Sequence, residues 1–214
     1  MTAATSLDEL VGAIRADVLS GRFVPGQRLV EADLAEQYAV PRAAVRTALM
    51  TLWKEGLVDR RPHRGASVRE LSIEEGIEIA RIRQELEALC ARHAAMRATL
   101  REQAELLGYA EAMRLATEQG RGEDYRELSV GFHERVAEIS RHGTAARALR
   151  EIRYHRLERH FPEAFATGTT RDSSEDHLAV ARAIAEGDPA LAERAMREHV
   201  GHLVDILLRH AAAS

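Results

Sequence analysis

The chain has 214 residues, a net charge of −4, 45% hydrophobic residues and only 4% aromatic ones. Its single cysteine, Cys90, excludes an internal disulfide framework and points to a reducing compartment. No apolar run of about eighteen residues is present, and the opening MTAATSLDEL lacks a basic-then-apolar signal, so no membrane span is expected and the cytoplasm is the expected location.

Abundant Ala, Leu, Arg and Glu favour a mainly α chain. Residues 7–20 place Leu7, Leu10, Val11, Ile14, Val18 and Leu19 on an amphipathic helix, with Ser6 and Glu9 spaced as a capping box. Residues 21–26 form a turn that closes on Pro25-Gly26. Leu29 leads into a short helix at 31–38 whose apolar points are Leu34 and Ala35, and Val40-Pro41 breaks it. A second helix is expected over 42–55, with Pro41 suited to its first turn. Val45, Leu49 and Leu52 fall at i, i+4 and i+7 on its buried face, and Arg42 and Arg46 stack on a flank. Gly56 closes the helix. Residues 57–61, the turn 62–65 and residues 66–68 read as strand, turn and strand. Helix, turn, helix and wing together make a reader of duplex DNA.

Charge distribution agrees with that reading. Between Val40 and Arg69 there are seven Lys/Arg against Glu55 and Asp59, a local +5, whereas residues 71–214 carry 20 basic and 25 acidic groups. A basic patch on an acidic chain is a localised phosphate footprint; the alternative is a merely solvated charged face.

Residues 69–72 are a short linker without a Gly/Ser tract, so residues 1–70 and 71–214 are expected as two domains. Six helices follow, at 72–99, 100–119, 124–141, 144–161, 171–186 and 189–211, an antiparallel bundle. Ile79, Ile82, Leu86, Leu89 and Cys90 point inward on the first; the second has Ala104, Leu107, Ala110, Met113 and Leu115 at mixed spacing; Tyr125, Leu128, Phe132, Val136 and Ile139 share one stripe on the third; and Leu191, Ala195, Met196, Leu203, Ile206 and Leu207 point inward on the last. His133, His177 and His199 lie on three different helices, each on an apolar side. Buried imidazoles need polar partners or a cation, and neutral imidazole binds zinc, nickel and related ions; the alternative is three separately satisfied core histidines. Arg83 sits at the margin of a buried face, where it suits bidentate capture of a carboxylate or a surface pair with Glu87, and Arg81 is the neighbouring alternative. His202 reads as packing or a supporting group beside His199.

LVEADLAEQYAVPRAAVRTAL, followed by EGLV, RRP and RGASV, resembles the DNA-binding domain of the GntR family of winged-helix transcription regulators. The resemblance implies DNA contacts from Arg42, Ala43 and Arg46 on the recognition helix and from Arg64 and Gly65 in the wing. Two departures bear on the operator sequence: Pro41 replaces the usual serine, and Ala43-Ala44 replace Thr-Pro. RIRQELEALCARHAA, SVGFHERVAEIS and SSEDHLAVARAIAEGDPALAERAMREHV resemble the FCD ligand-binding domain of the FadR-type branch. Its marks fall on Arg83, Phe132-His133, Glu175 with His177, Ala183-Ile184 with Gly187-Asp188, and Met196-Arg197 with His199. This implies a divalent metal, zinc or nickel, held by His133, His177 and His199, with Ser129 where an Asp or Asn ligand usually stands, and a small carboxylate effector beside it at Arg83 or Arg81. The whole reads as a homodimeric repressor on a near-palindromic operator, not an enzyme. A metal-dependent enzyme using the three histidines and a DNA-binding dimer with a degenerate effector site are the alternatives.

Overall fold

Helix α1 (Leu7–Ser20) opens at the capping box the sequence announces: Ser6 Oγ accepts from Glu9 N–H, and the Glu9 carboxylate accepts from Ser6 N–H. The structure, a computed structural model, describes residues 6–61, 65–153, 157–162, 164 and 170–213. They divide into two units: residues 1–72 with 153–161, and residues 73–152 with 162–214.

In the first unit, helices α2 (Glu31–Gln37) and α3 (Arg42–Lys54) follow α1. Leu10, Ile14, Leu34, Val45, Leu49 and Leu52 form their common core with Leu57, Val58 and Val68. Polar ties fix the helices. Arg15 grips Glu55 through Nε and Nη2 at 3.0 and 2.7 Å, and the Tyr38 hydroxyl donates to Asp17 at 2.5 Å. Pro41 is the N-cap of α3 rather than a residue of its first turn: its ψ of 144° is extended, and its carbonyl accepts from Ala44 and Val45. Residues 28–29 do not simply lead into α2. Arg28–Leu29 is a short strand, β1, paired antiparallel to β3 (Gly65–Val68), which also pairs with β2 (Val58–Arg61) to give the order β1-β3-β2. Two residues are too few to show an alternating pattern, so this strand left no periodic signal. The wing tip, residues 62–64, lies outside the described residues, and the expected contact Arg64 with it.

The second unit is helical: α4 (Ile73–Arg97), α5 (Leu100–Glu118), α6 (Gly122–Ile139), α7 (Gly143–Arg153), α9 (Thr170–Ala185) and α10 (Pro189–Ala213). Within the helix expected over 144–161, two helical stretches lie among the described residues. Its first part, α7, buries Ala145 and Leu149 in the bundle, while α8 (Leu157–His160) groups with the first unit, where His160 Nδ1 accepts from Leu71 N–H at 3.4 Å. The α4 interior also departs from expectation. Ile82 is 51% exposed, and the buried stripe is Gly76, Ala80, Ala88, Cys90, Ala91, Ala94 and Ala95. Small residues let α10 lie close along α4. At Gly201 a Cβ would stand 2.8 Å from Gln84 Nε2, which donates to the Arg197 carbonyl. Leu191, expected inward, is exposed, and on α5 Leu115 is exposed while Leu106, Ala110, Met113 and Ala116 are buried.

The joint between α2 and α3 yields a test. At Ala39 the backbone is left-handed (φ 53°), with Ala39 N–H bonded to Glu36 O and Val40 N–H to Ala35 O. The same pair of bonds ends α3 at Gly56 and α9 at Gly187, where glycine occupies the left-handed place. Ala39 bears the steric cost of a Cβ there. Ala39→Gly is expected to stabilise the chain by about 0.5–1 kcal/mol, read as a raised urea midpoint at unchanged slope.

Candidate functional site

The recognition helix α3 presents Arg42, Ala43 and Arg46 on its exposed side, opposite the buried Val45, Ala48, Leu49 and Leu52. Gly65, at φ 82°, opens β3 at the base of the wing. Between helix and wing runs a groove lined by Arg28, Glu31, Arg46, Arg60 and Gly65. Arg60 reaches the Met50 sulfur. Arg46 is met by Glu31, the first residue of α2, through Nε at 2.9 Å and Nη2 at 2.7 Å. Arg28 and Glu31 join the groove through the β1 pairing and the helix crossing, and no local spacing in the sequence marks either.

In the second unit His133 on α6, His177 on α9 and His199 on α10 come together. His133 Nε2 is 3.2 Å from His177 Nε2 and 3.2 Å from His199 Nε2. The ligand nitrogens of the three rings all lie within 4.8 Å of one another. Phe132, Tyr125 and the ring edges of the histidines themselves surround them.

The outer ring nitrogens are each matched to an acceptor. His177 Nδ1 is 2.6 Å from the Ser173 carbonyl, one turn earlier on α9. His133 Nδ1 is 2.5 Å from Glu87 Oε2, a carboxylate on α4 that is only 1% exposed. His199 Nδ1 is 3.4 Å from Asp176 Oδ2. Acceptors at Nδ1 fix the proton there and turn the Nε2 lone pairs inward. Burial, followed by the neighbouring His199 and His133, holds His177 well below the ordinary histidine range, so it is neutral. Burial works against ionisation of Asp176, but its bonds to His199 and His202 outweigh that and keep it below the usual carboxylate range.

Converging lone pairs repel unless something positive lies between them. A proton on His133 Nε2 satisfies one neighbour, and the Ser129 hydroxyl, 3.2 Å from His177 Nε2, can donate to the other. A divalent cation satisfies all three, and bonds of about 2.0–2.1 Å place tetrahedral nitrogens roughly 3.3 Å apart. A donor set of three imidazoles fits zinc or nickel. Ser129 Oγ, 3.2 Å from His177 Nε2, lies at the edge of the same space as a weak neutral donor.

Glu87 links this centre to Arg83, whose Nε donates to Glu87 Oε1 at 3.0 Å. The pair is not the surface pair that i, i+4 spacing suggests, because Glu87 is buried and Arg83 nearly so. Arg81 lies on the exposed side of α4. His202 is exposed and bonds Asp176 at 2.8 Å, behind His199. Glu87 was read from the sequence only as a surface partner of Arg83, and Asp176 and Ser173 were missed because the sequence does not give the orientation of the histidines they serve.

A family model described as "Bacterial regulatory proteins, gntR family" matches residues 7–68, and one for the FCD domain matches residues 78–202. The "Probable D-xylose utilization operon transcriptional repressor" of Paenarthrobacter nicotinovorans is 29% identical over 94% of this chain and 88% of its own. The "HTH-type transcriptional repressor RspR" of Escherichia coli is 31% identical over 59% of this chain and 56% of its own. The solved structure of McbR/YncC from E. coli has the same fold, with a TM-score of 0.81, 23% identity, and coverage of 96% of this chain and 99% of that one. No described helix is long and apolar enough to cross a membrane. The matches to both models and the likeness to named repressors place this chain in the GntR family as a DNA-binding transcription regulator with an FCD domain, not an enzyme.

Proposed function

We propose that this chain is a homodimeric repressor that binds a near-palindromic operator and is controlled by a small carboxylate beside a divalent metal at His133, His177 and His199. The observation that carries the reading is the convergence of three Nε2 atoms whose Nδ1 atoms are matched to Glu87, Ser173 and Asp176. Nothing in a merely packed core requires that arrangement, and each element of it serves cation binding. A bound cation supplies a positive centre to which a carboxylate oxygen is attracted.

The chain's own residues do the rest. Arg83, charge-balanced by Glu87, receives the second carboxylate oxygen, and Ser129 leaves more room and less negative charge than an acidic ligand there. The exposed Arg81 has no part in this. At the front end, Arg42 and Arg46 enter the major groove, and the wing with Arg64 and Gly65 follows the adjacent backbone. Relatives that are themselves repressors support repression as the output. Release from DNA requires that the effector bind the two states of the chain with different affinity, and linkage makes the effect reciprocal.

Two measurements test these assignments. Arg46→Ala weakens binding to an operator duplex by about 1–3 kcal/mol, read by fluorescence anisotropy over a salt series; an unchanged affinity and salt slope would remove Arg46 from the interface. Chain incubated with zinc or nickel and then dialysed retains the metal by elemental analysis and melts at a higher temperature, with a stabilisation of about 2.7 kcal/mol at a hundredfold excess over Kd. His177→Ala and the less buried His199→Ala lose both effects, whereas Ser129→Asp binds the metal about tenfold more tightly, roughly 1.4 kcal/mol. If metal leaves the wild-type chain as readily as it leaves His199→Ala, and no carboxylate raises its melting temperature, the alternative of a DNA-binding dimer with a degenerate site stands instead. Ser129 is the observation that favours that alternative.

A further inference from the structure

The side chain of Arg46 is 65% open to solvent, yet it is held in one geometry. Nε donates to Glu31 Oε1 at 2.9 Å and Nη2 to Oε2 at 2.7 Å, a two-bond grip on the side of the guanidinium. A guanidinium carries five N–H donors in one plane. The side grip takes the Nε–H and one Nη2–H, and leaves two donors of Nη1 and one of Nη2, of which one from each lies along the end of the fork. That end edge is the one that matches guanine O6 and N7 or two oxygens of a phosphate. Because the group is rigid and planar, the carboxylate that fixes one edge also fixes the direction of the other.

We propose that Glu31 is a positioning residue for DNA reading: it clamps Arg46 side-on so that the end of the guanidinium is aimed at a base pair, and so sets operator specificity. This rests on the assignment of Arg46 to the DNA interface. Glu31 is well placed for the role. As the first residue of α2 it is anchored by a helix whose Leu34 is buried in the common core. Its carboxylate stays ionised, held below the usual range chiefly by the Arg46 bond, with burial opposing and the charges of Arg46, Arg60 and Arg42 adding. Arg28 and Arg60 line the same groove, and the charge of Arg60 acts on the Glu31 carboxylate.

The sign of the effect distinguishes a positioning role from a bystander. A carboxylate near phosphates repels them, so removal of a bystander acid strengthens binding to all DNA alike. Removal of a positioning acid lowers specific binding relative to nonspecific binding. The probe is a duplex selected from a random pool by the wild-type chain, with a scrambled duplex of equal length as reference, both measured at one fixed salt concentration.

Glu31→Gln is expected to lower the specific-to-nonspecific affinity ratio about tenfold and to relax base preference at one position of each half-site. Arg46→Lys, which keeps the charge and cannot form both two-bond contacts, lowers the ratio similarly, and keeps the test open if Glu31→Gln folds poorly. The double variant Glu31→Gln/Arg46→Ala has the ratio of Arg46→Ala alone. If Arg46→Ala loses specific binding while Glu31→Gln and Arg46→Lys keep the wild-type ratio and base preference, the positioning role is overturned and the DNA assignment of Arg46 survives. If Glu31→Gln binds both duplexes more tightly by the same factor, Glu31 is only a repelling charge and the proposal is again overturned. If Arg46→Ala itself binds as wild type, the underlying assignment fails first.

Discussion

Three imidazole nitrogens facing one another, two of the separations 3.2 Å, set the terms for the helical unit. They are brought there by three helices, and each ring is turned by a group on its far side. Such an arrangement is costly in a low-dielectric interior unless the lone pairs share positive charge. The rest of the unit is consistent with meeting that requirement. The alanine stripe of α4 lets α10 approach closely and so brings His199 near His133. Glu87, one of the few buried charges, stands where it steadies His133 and is itself balanced by Arg83. A carboxylate at that depth without both partners would be strongly unfavourable. The Arg83–Glu87–His133 chain is therefore one electrostatic unit, and substitution of any member alters the other two.

The DNA-binding unit solves a different problem with similar means. Its arginines must stay solvated and available, yet must not sample every rotamer when a duplex arrives. Long side chains lose entropy on ordering, and that loss weakens binding. Arg46 is ordered in advance by Glu31, and the helices that carry the two are tied to the core by Leu34, Val45 and Leu49. In both units an acidic residue holds a functional cationic or titratable side chain in place, and in both it comes from a different helix.

That common feature explains what was legible in the sequence. Helix existence, the wing strands, the Ser6 cap and the apolar face of α3 are local, and periodicity shows them. The three histidines were legible because each stands on an apolar side of its own helix. Glu87 was not: four residues from Arg83, it has the spacing of an ordinary surface pair, and only the crossing of α4 with α6 shows that it is buried against His133. Ile82 failed for the opposite reason. Hydrophobicity suggested an inward isoleucine, but close helix contact selected the alanines, and size rather than hydrophobicity decided which face of α4 is interior. Glu31 lies fifteen residues from Arg46, and β1 is two residues long; neither a pairing across helices nor a strand so short leaves a period to detect.

The two units of the chain are not two continuous stretches of sequence. The polypeptide passes from the first unit to the second after residue 72, returns at 153–161, and leaves again at 162. The returning segment contains α8, whose His160 is bonded to the Leu71 backbone near the end of the first passage. Both passages are thus joined at one point within the first unit. In the second unit, α9 carries Ser173, Asp176 and His177. Coupling requires two discrete arrangements with different ligand affinity, not a route alone.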